Sequence, residues 1–155
     1  VPLAHAMSAL STFRGVKRRM ELICRAGVID IYDDFAHHPT AIQTTLLGLR
    51  ARVGQDKIIA VIELGSYTMR GGEHASRLSE AVGEADQVIW FQPRDVAFDL
   101  KAIVQETRAN LVHSAEALLS LLEPQFDERV EATHLVLMSN DQLDGFRELI
   151  TERYG

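Results

Sequence analysis

Residues 30–42 read Asp-Ile-Tyr-Asp-Asp-Phe-Ala-His-His-Pro-Thr-Ala-Ile. Two adjacent carboxylates, Asp33 and Asp34, and two adjacent imidazoles, His37 and His38, follow an apolar strand pattern. Imidazoles titrate near neutral pH, so such a run is a candidate catalytic cluster. Its alternative is a solvated turn capped by an aspartate. The two histidines are adjacent, so in an extended segment they point to opposite sides. A two-histidine metal site is therefore not expected there.

Two further groups could hold an anion. Ser66, Thr68, Arg70 and His74 lie in a polar loop from Ser66 to His74, longer than the usual βα connection of about two to six residues. Thr68, Arg70 and His74 could hold an anionic group at the start of the next helix, where backbone N–H groups point outward. The other reading of the loop is an organised turn. Lys17-Arg18-Arg19 is either a surface stripe or a reach toward a nucleotide phosphate, since arginine offers a fixed fork of donors. No phosphate loop, Gly-x-Gly-x-x-Gly fingerprint, Gly-x-Ser-x-Gly elbow, His-x-x-x-His or Cys-x-x-Cys occurs in the sequence. The chain carries site-like residues without a complete catalytic set.

The elements that must position these groups follow from the periodicity. Leu3, Met7 and Leu10 form an amphipathic helix ending at Ser11-Thr12. Residues 13–19 connect it to strands at Met20–Arg25 and Val28–Tyr32, joined by a turn at Ala26-Gly27 as an antiparallel hairpin. After Pro39 the period changes. Ile42, Leu46, Leu47 and Leu49 share a helical face, and Gly54 stands just past the helix end. Ile58–Ile62 is an unbroken apolar run, the signature of a strand covered on both faces. Helix, strand, helix, strand and helix follow at 73–82, 88–91, 98–106, 111–112 and 115–122. A last strand, 134–138, and a last helix, 143–154, complete the pattern. The predicted fold is α/β and Rossmann-like in three layers. Its mostly parallel sheet begins with an antiparallel hairpin and carries helices on both faces. The polar segments Asp33–His38, Glu63–His74, Gln92–Asp95 and Ser139–Asp141 then gather on one sheet edge, the usual ligand edge of such folds.

At 155 residues the chain fits one domain with a real core. A formal net charge of −6 argues against a broad nucleic-acid face but leaves room for a local cationic site. The single cysteine, Cys24, excludes an intramolecular disulfide. It fits a reducing, cytoplasmic setting and a core position. No run approaches the roughly 18 apolar residues of a membrane span. The chain opens on Val1 inside a helical pattern, which suggests a piece of something longer.

Phe13-x-Gly15-Val16-Lys17-Arg18-Arg19-Met20-Glu21 followed by Asp33-Asp34-Phe35-Ala36-His37-His38-Pro39-Thr40 resembles the third domain of the Mur ligases. Within that family, Ser66-Tyr67-Thr68-Met69-Arg70-x-Gly72-x-His74, Glu84-Ala85-Asp86 and Gln92-Pro93 look like the murein peptide ligase branch. The resemblance implies ATP-dependent joining of UDP-N-acetylmuramate to the tripeptide L-alanyl-γ-D-glutamyl-meso-diaminopimelate through an acyl phosphate. It also implies ATP and Mg2+ held mainly by other domains. Residues 1–12 would then close a preceding central domain, residues 13–19 would be a hinge, and residues 20–155 the C-terminal domain. Arg19 and Asp34 match the family's nucleotide contacts. His37 and His38 would face the reaction centre, and Ser66, Thr68, Arg70 and His74 would recognise the tripeptide. Such a domain would be inert alone, with no nucleic-acid or membrane partner. Two segments depart from the family pattern: Leu64-Gly65 stands before Ser66, and Ser139-Asn140-Asp141-Gln142-Leu143-Asp144-Gly145 replaces a glycine-rich closing run. The alternatives are the corresponding domain of the UDP-N-acetylmuramate–L-alanine ligase and a free-standing α/β module that binds peptide or nucleotide.

Overall fold

The computed structural model describes residues 2–11, 16–63, 74–93, 100–126 and 131–155. Among these residues six strands form one sheet: β1 (Glu21–Ala26), β2 (Ile29–Asp34), β3 (Lys57–Glu63), β4 (Gln87–Phe91), β5 (Asn110–Val112) and β6 (Thr133–Met138). The order across the sheet is β1-β2-β6-β3-β4-β5. β1 pairs antiparallel with β2, and every other pairing is parallel. The mixed sheet with its leading hairpin agrees with the sequence reading. The helices are α1 (Leu3–Ser11), α2 (Pro39–Val53), α3 (His74–Ala81), α4 (Lys101–Thr107), α5 (Ala115–Leu122) and α6 (Phe146–Tyr154).

The apolar run of β3 is buried because both of its faces are covered. Ile58, Ala60 and Ile62 join Trp90, Val136 and Met138 beneath Ile42, Leu46 and Leu49 of α2 and Leu78 of α3. Ile59 and Val61 join Ile89, Phe91, Leu135 and Leu137 beneath Leu118 and Leu122 of α5 and Phe146 and Ile150 of α6. Alternating side chains thus feed two cores, as strand geometry requires. Cys24 is buried in the second core. α2 begins with Pro39 in its first turn and ends at Gly54, whose φ of 67° a side chain would resist.

Four differences from the sequence reading are informative. The hairpin turn falls at Gly27-Val28, because Ala26 is buried and pairs with Ile29. Asp33 and Asp34 belong to β2, where they pair with Leu137 and Met138. Leu47 is 48% exposed, so the apolar stripe of α2 is narrower than the residue types suggest. The last helix begins at Phe146, because Leu143, Asp144 and Gly145 all have positive φ. The expected start of α4 at residues 98–99 lies outside the described residues.

The strand order creates a switch point. β2 leads through α2 to β3, and β3 through α3 to β4, over one face. β5 leads through α5 over the other face to β6, which slots between β2 and β3. Connections therefore diverge between the carboxyl ends of β3 and β6, the crevice where ligands bind in open α/β sheets.

Trp90 is wholly buried and its Nε1 donates to Thr107 Oγ1 at 3.0 Å. Trp90→Ala is expected to cost about 3–5 kcal/mol, read as a lowered urea midpoint.

Candidate functional site at the carboxyl edge

Asp34 ends β2 with 2% of its surface exposed. Its Oδ2 accepts from the Met20 N–H at 2.9 Å, and its Oδ1 accepts from the Ala36 N–H at 2.8 Å and Thr45 Oγ1 at 3.5 Å. Its carbonyl accepts from the Ser139 N–H. One carboxylate therefore folds the chain on either side of itself: the incoming segment at Met20 and the outgoing loop at Ala36. Hydrogen bonds to a charged group contribute about 1.5–3 kcal/mol each.

Asp33 faces the other side of β2 and meets two guanidiniums. Arg147 Nε lies 2.6 Å from Oδ1 and Arg18 Nε 3.2 Å from Oδ2. Both arginines also donate to the carbonyl of Asp141. Arg147 Nη2 is buried without a hydrogen-bond partner among the described residues. The arrangement draws α6, the incoming segment and the loop after β6 onto one buried carboxylate, whose burial demands such partners.

Glu63 ends β3 at the switch point and is 3% exposed. Its Oε2 accepts from Ser139 Oγ and from the Leu143 N–H at 3.1 Å. Ser139 Oγ in turn accepts from the Asp141 N–H at 2.8 Å. Gln142 is right-handed (φ −98°, ψ −8°) and Leu143 left-handed (φ 51°). In this conformation the Leu143 N–H meets a carboxylate of the chain's own, that of Glu63. Burial raises the Glu63 pKa above its ordinary value of 4.5, against the opposing pull of the Ser139 and Leu143 hydrogen bonds.

A cleft of about 330 Å³ opens above Glu63, walled by Phe91 and Pro93 and rimmed by His113, Asp141, Gln142 and Asp144. Asp144 is itself fixed, accepting from the Ala115 N–H at the start of α5. An apolar wall facing several carboxylates suits a ligand with both an aliphatic part and a cationic group.

The structure gathers Arg19 and His37 about the Phe35 ring, next in sequence to the buried Asp34. Arg19 is exposed, with Cζ 5.8 Å from the Phe35 ring centroid. His37 meets the same ring edge-on at 5.3 Å, with Nδ1 2.9 Å from the Phe35 carbonyl oxygen. His38 is the extended residue before α2. Ser66, Thr68 and Arg70 lie outside the described residues. His74 opens α3, and its side chain is also outside them. Among the described residues, no group of three His, Cys, Asp or Glu side chains could hold a metal ion. Residue types alone missed Glu63 and Arg147 as site-building groups, and gave no sign that Arg18 turns to Asp33 and the loop after β6. The signal for Glu63 was available, as a charge closing an apolar strand. Arg147 gave none, since its role depends on where α6 docks.

A model of the family described as Mur ligase, glutamate ligase domain, matches residues 18–142. The UDP-N-acetylmuramate–L-alanyl-γ-D-glutamyl-meso-2,6-diaminoheptandioate ligase of Haemophilus influenzae is 33% identical, over 99% of this chain and 34% of its own length. The ligase of the same name from Escherichia coli is 35% identical, over 96% of this chain and 33% of its own. The crystal structure of a murein peptide ligase from Psychrobacter arcticus superposes with a TM-score of 0.78 at 32% identity, covering 95% of this chain and 32% of that one. The chain thus spans about a third of the length of the relatives it matches.

The raised Glu63 pKa carries a pH dependence. The native state holds this proton more tightly than the unfolded chain. Native stability therefore falls as pH rises from 4.5 through the raised value, and is fully present below that window. Glu63→Gln keeps an acceptor for Ser139 and Leu143 but does not ionise. Its stability relative to wild type should climb across that window and level off above it, in denaturation midpoints taken along a pH series. A difference that stays flat or falls with pH would contradict the assignment.

Proposed function

The chain belongs to the Mur ligase, glutamate ligase domain, family, and on that premise we propose that it is the C-terminal domain of a cytoplasmic, ATP-dependent ligase. That enzyme would join UDP-N-acetylmuramate to L-alanyl-γ-D-glutamyl-meso-diaminopimelate in cell-wall peptide recycling. The observation that carries the reading is similarity along nearly the whole chain to ligases named for that reaction, over only a third of their length. On this reading residues 1–12 end a central domain, residues 13–19 form the hinge, and residues 20–155 close over the reactants. The buried thiol of Cys24 fits a reducing compartment. Among the described residues no helix is long and apolar enough to cross a membrane.

ATP with Mg2+, bound chiefly by other domains, supplies the phosphoryl group that activates the substrate carboxylate for attack by the peptide amine. This chain's part is to orient and enclose. Arg19 is exposed at the edge and fits an anionic nucleotide. Asp34 acts on the nucleotide side through the loop it holds, since both of its oxygens already accept hydrogen bonds. His37 and His38 lie on that loop, toward the reaction centre. Ser66, Thr68, Arg70 and His74 are assigned to the tripeptide. Closure of such a domain excludes water and completes a divided site.

In the full-length enzyme, Arg19→Ala should raise the KM for ATP by about tenfold to a hundredfold, the equivalent of one charge-assisted hydrogen bond. Its thermal stability should stay within about 0.5 kcal/mol of wild type, as for an exposed side chain. Steady-state kinetics and thermal denaturation check both. An unchanged KM would remove Arg19 from the nucleotide site. ATP turnover by the 155-residue chain alone would contradict the domain assignment.

A further inference from the structure

One side chain reaches both halves of the carboxyl edge. Arg18 donates from Nε to Asp33 Oδ2 at 3.2 Å, and from Nη2 to the carbonyls of Ser139 and Asp141 at 2.5 and 3.1 Å. Its own carbonyl accepts from the Phe35 N–H at 2.8 Å, and its N–H donates to the Glu21 carboxylate at 2.9 Å. Its Cζ lies 5.2 Å from the Phe35 ring centroid. The residue thus touches the Asp34–His38 loop, which carries His37 and lies beside Arg19. It also touches the Ser139–Asp144 loop, which rims the Glu63 cleft.

The backbone here is strained. Arg18 has φ 55° and Met20 has φ 48°, values that side chains resist and that persist only where surroundings over-determine them. The hydrogen bonds of Arg18, and that from the Met20 N–H to Asp34, supply that determination. A lysine could carry the charge, but not three donations in fixed directions, because its ammonium is a single point on a flexible stem. Arg147 closes the arrangement from behind, donating to Asp33 Oδ1 and to the same Asp141 carbonyl, each at 2.6 Å. Asp33 and the Asp141 carbonyl are therefore each held between two guanidiniums.

We propose that Arg18 is a positioning residue that couples the two halves of the site, so that the Asp34–His38 loop and the Ser139–Asp144 loop order together and respond together when either side is filled. The coupling is a property of this chain. Only the identity of the ligands, a nucleotide on one side and a peptide amine on the other, rests on the ligase reading above.

Amide hydrogen exchange on the 155-residue chain tests the coupling without any ligand. The reporters are the amides of Phe35, Asp141 and Leu143, which donate to the Arg18 backbone carbonyl, Ser139 Oγ and Glu63 Oε2. Arg18→Leu is expected to speed exchange at all three by about tenfold or more, while amides inside β3 and β4 keep their rates. Arg18→Lys should fall between Arg18→Leu and wild type. Acceleration of one loop alone would overturn the proposal, as would equal acceleration across the sheet, which marks a plain loss of stability. Should Arg18→Leu fail to fold, the Arg18→Lys pattern decides by the same criterion: both loops together, or not. In the full-length ligase, saturating nucleotide should lower the KM for the tripeptide in wild type. In Arg18→Lys that dependence should shrink toward none. Persistence of the dependence in Arg18→Lys would also overturn the proposal. A full-length wild type without ligase activity would overturn the ligase reading instead, and the exchange result would stand by itself.

Discussion

Three carboxylates, Asp33, Asp34 and Glu63, lie between 2 and 4% exposed at the carboxyl ends of β2 and β3. Water cannot solvate them there, so the chain must, and the shape of the whole edge follows from how it does so. Asp34 takes backbone N–H groups from both sides of itself. Asp33 takes two guanidiniums from opposite ends of the sequence. Glu63 takes a hydroxyl and an N–H from the loop after β6, and that loop adopts a left-handed run to deliver them. The cleft and the partly exposed Arg19–Phe35–His37 face lie around these satisfied carboxylates.

The sequence revealed the fold better than it revealed the site. Strands covered on both faces announce themselves as apolar runs, and β3, β4 and β6 stand within a residue or two of where the residue types put them. Pro39 and Gly54 marked both ends of α2, because each fixes a backbone angle irrespective of what packs nearby. Strand order was not legible, since periodicity says which residues share a face and nothing about which strands are neighbours.

The cluster Asp33–His38 was visible as a dense run of functional groups, yet residue types could not divide its labour. Asp33 and Asp34 are consecutive, so strand alternation sends them to opposite faces. One meets backbone amides and the other meets Arg18 and Arg147. Arg147 is separated from Asp33 by 114 positions. No local pattern can pair groups so distant, and the same holds for Glu63 with Ser139 and Leu143, which meet only because β6 lies beside β3. The molecule gathers these loops on one edge and fastens them to one another through buried charge.

The place of β6 has a consequence for how the molecule assembles. Thr133–Met138 is the last strand in the chain but sits near the middle of the sheet, between β2 and β3. Until it arrives, those two strands have no partner on the sides they will share with it. The hairpin of β1 and β2 and the β3–β4–β5 unit can form early as separate pieces, and the edge carrying all three buried carboxylates cannot exist before they are joined. Closing so long a connection is slow, and it leaves apolar strand edges open to other chains in the meantime. Insertion of β6 covers those open edges and creates the crevice between the carboxyl ends of β6 and β3.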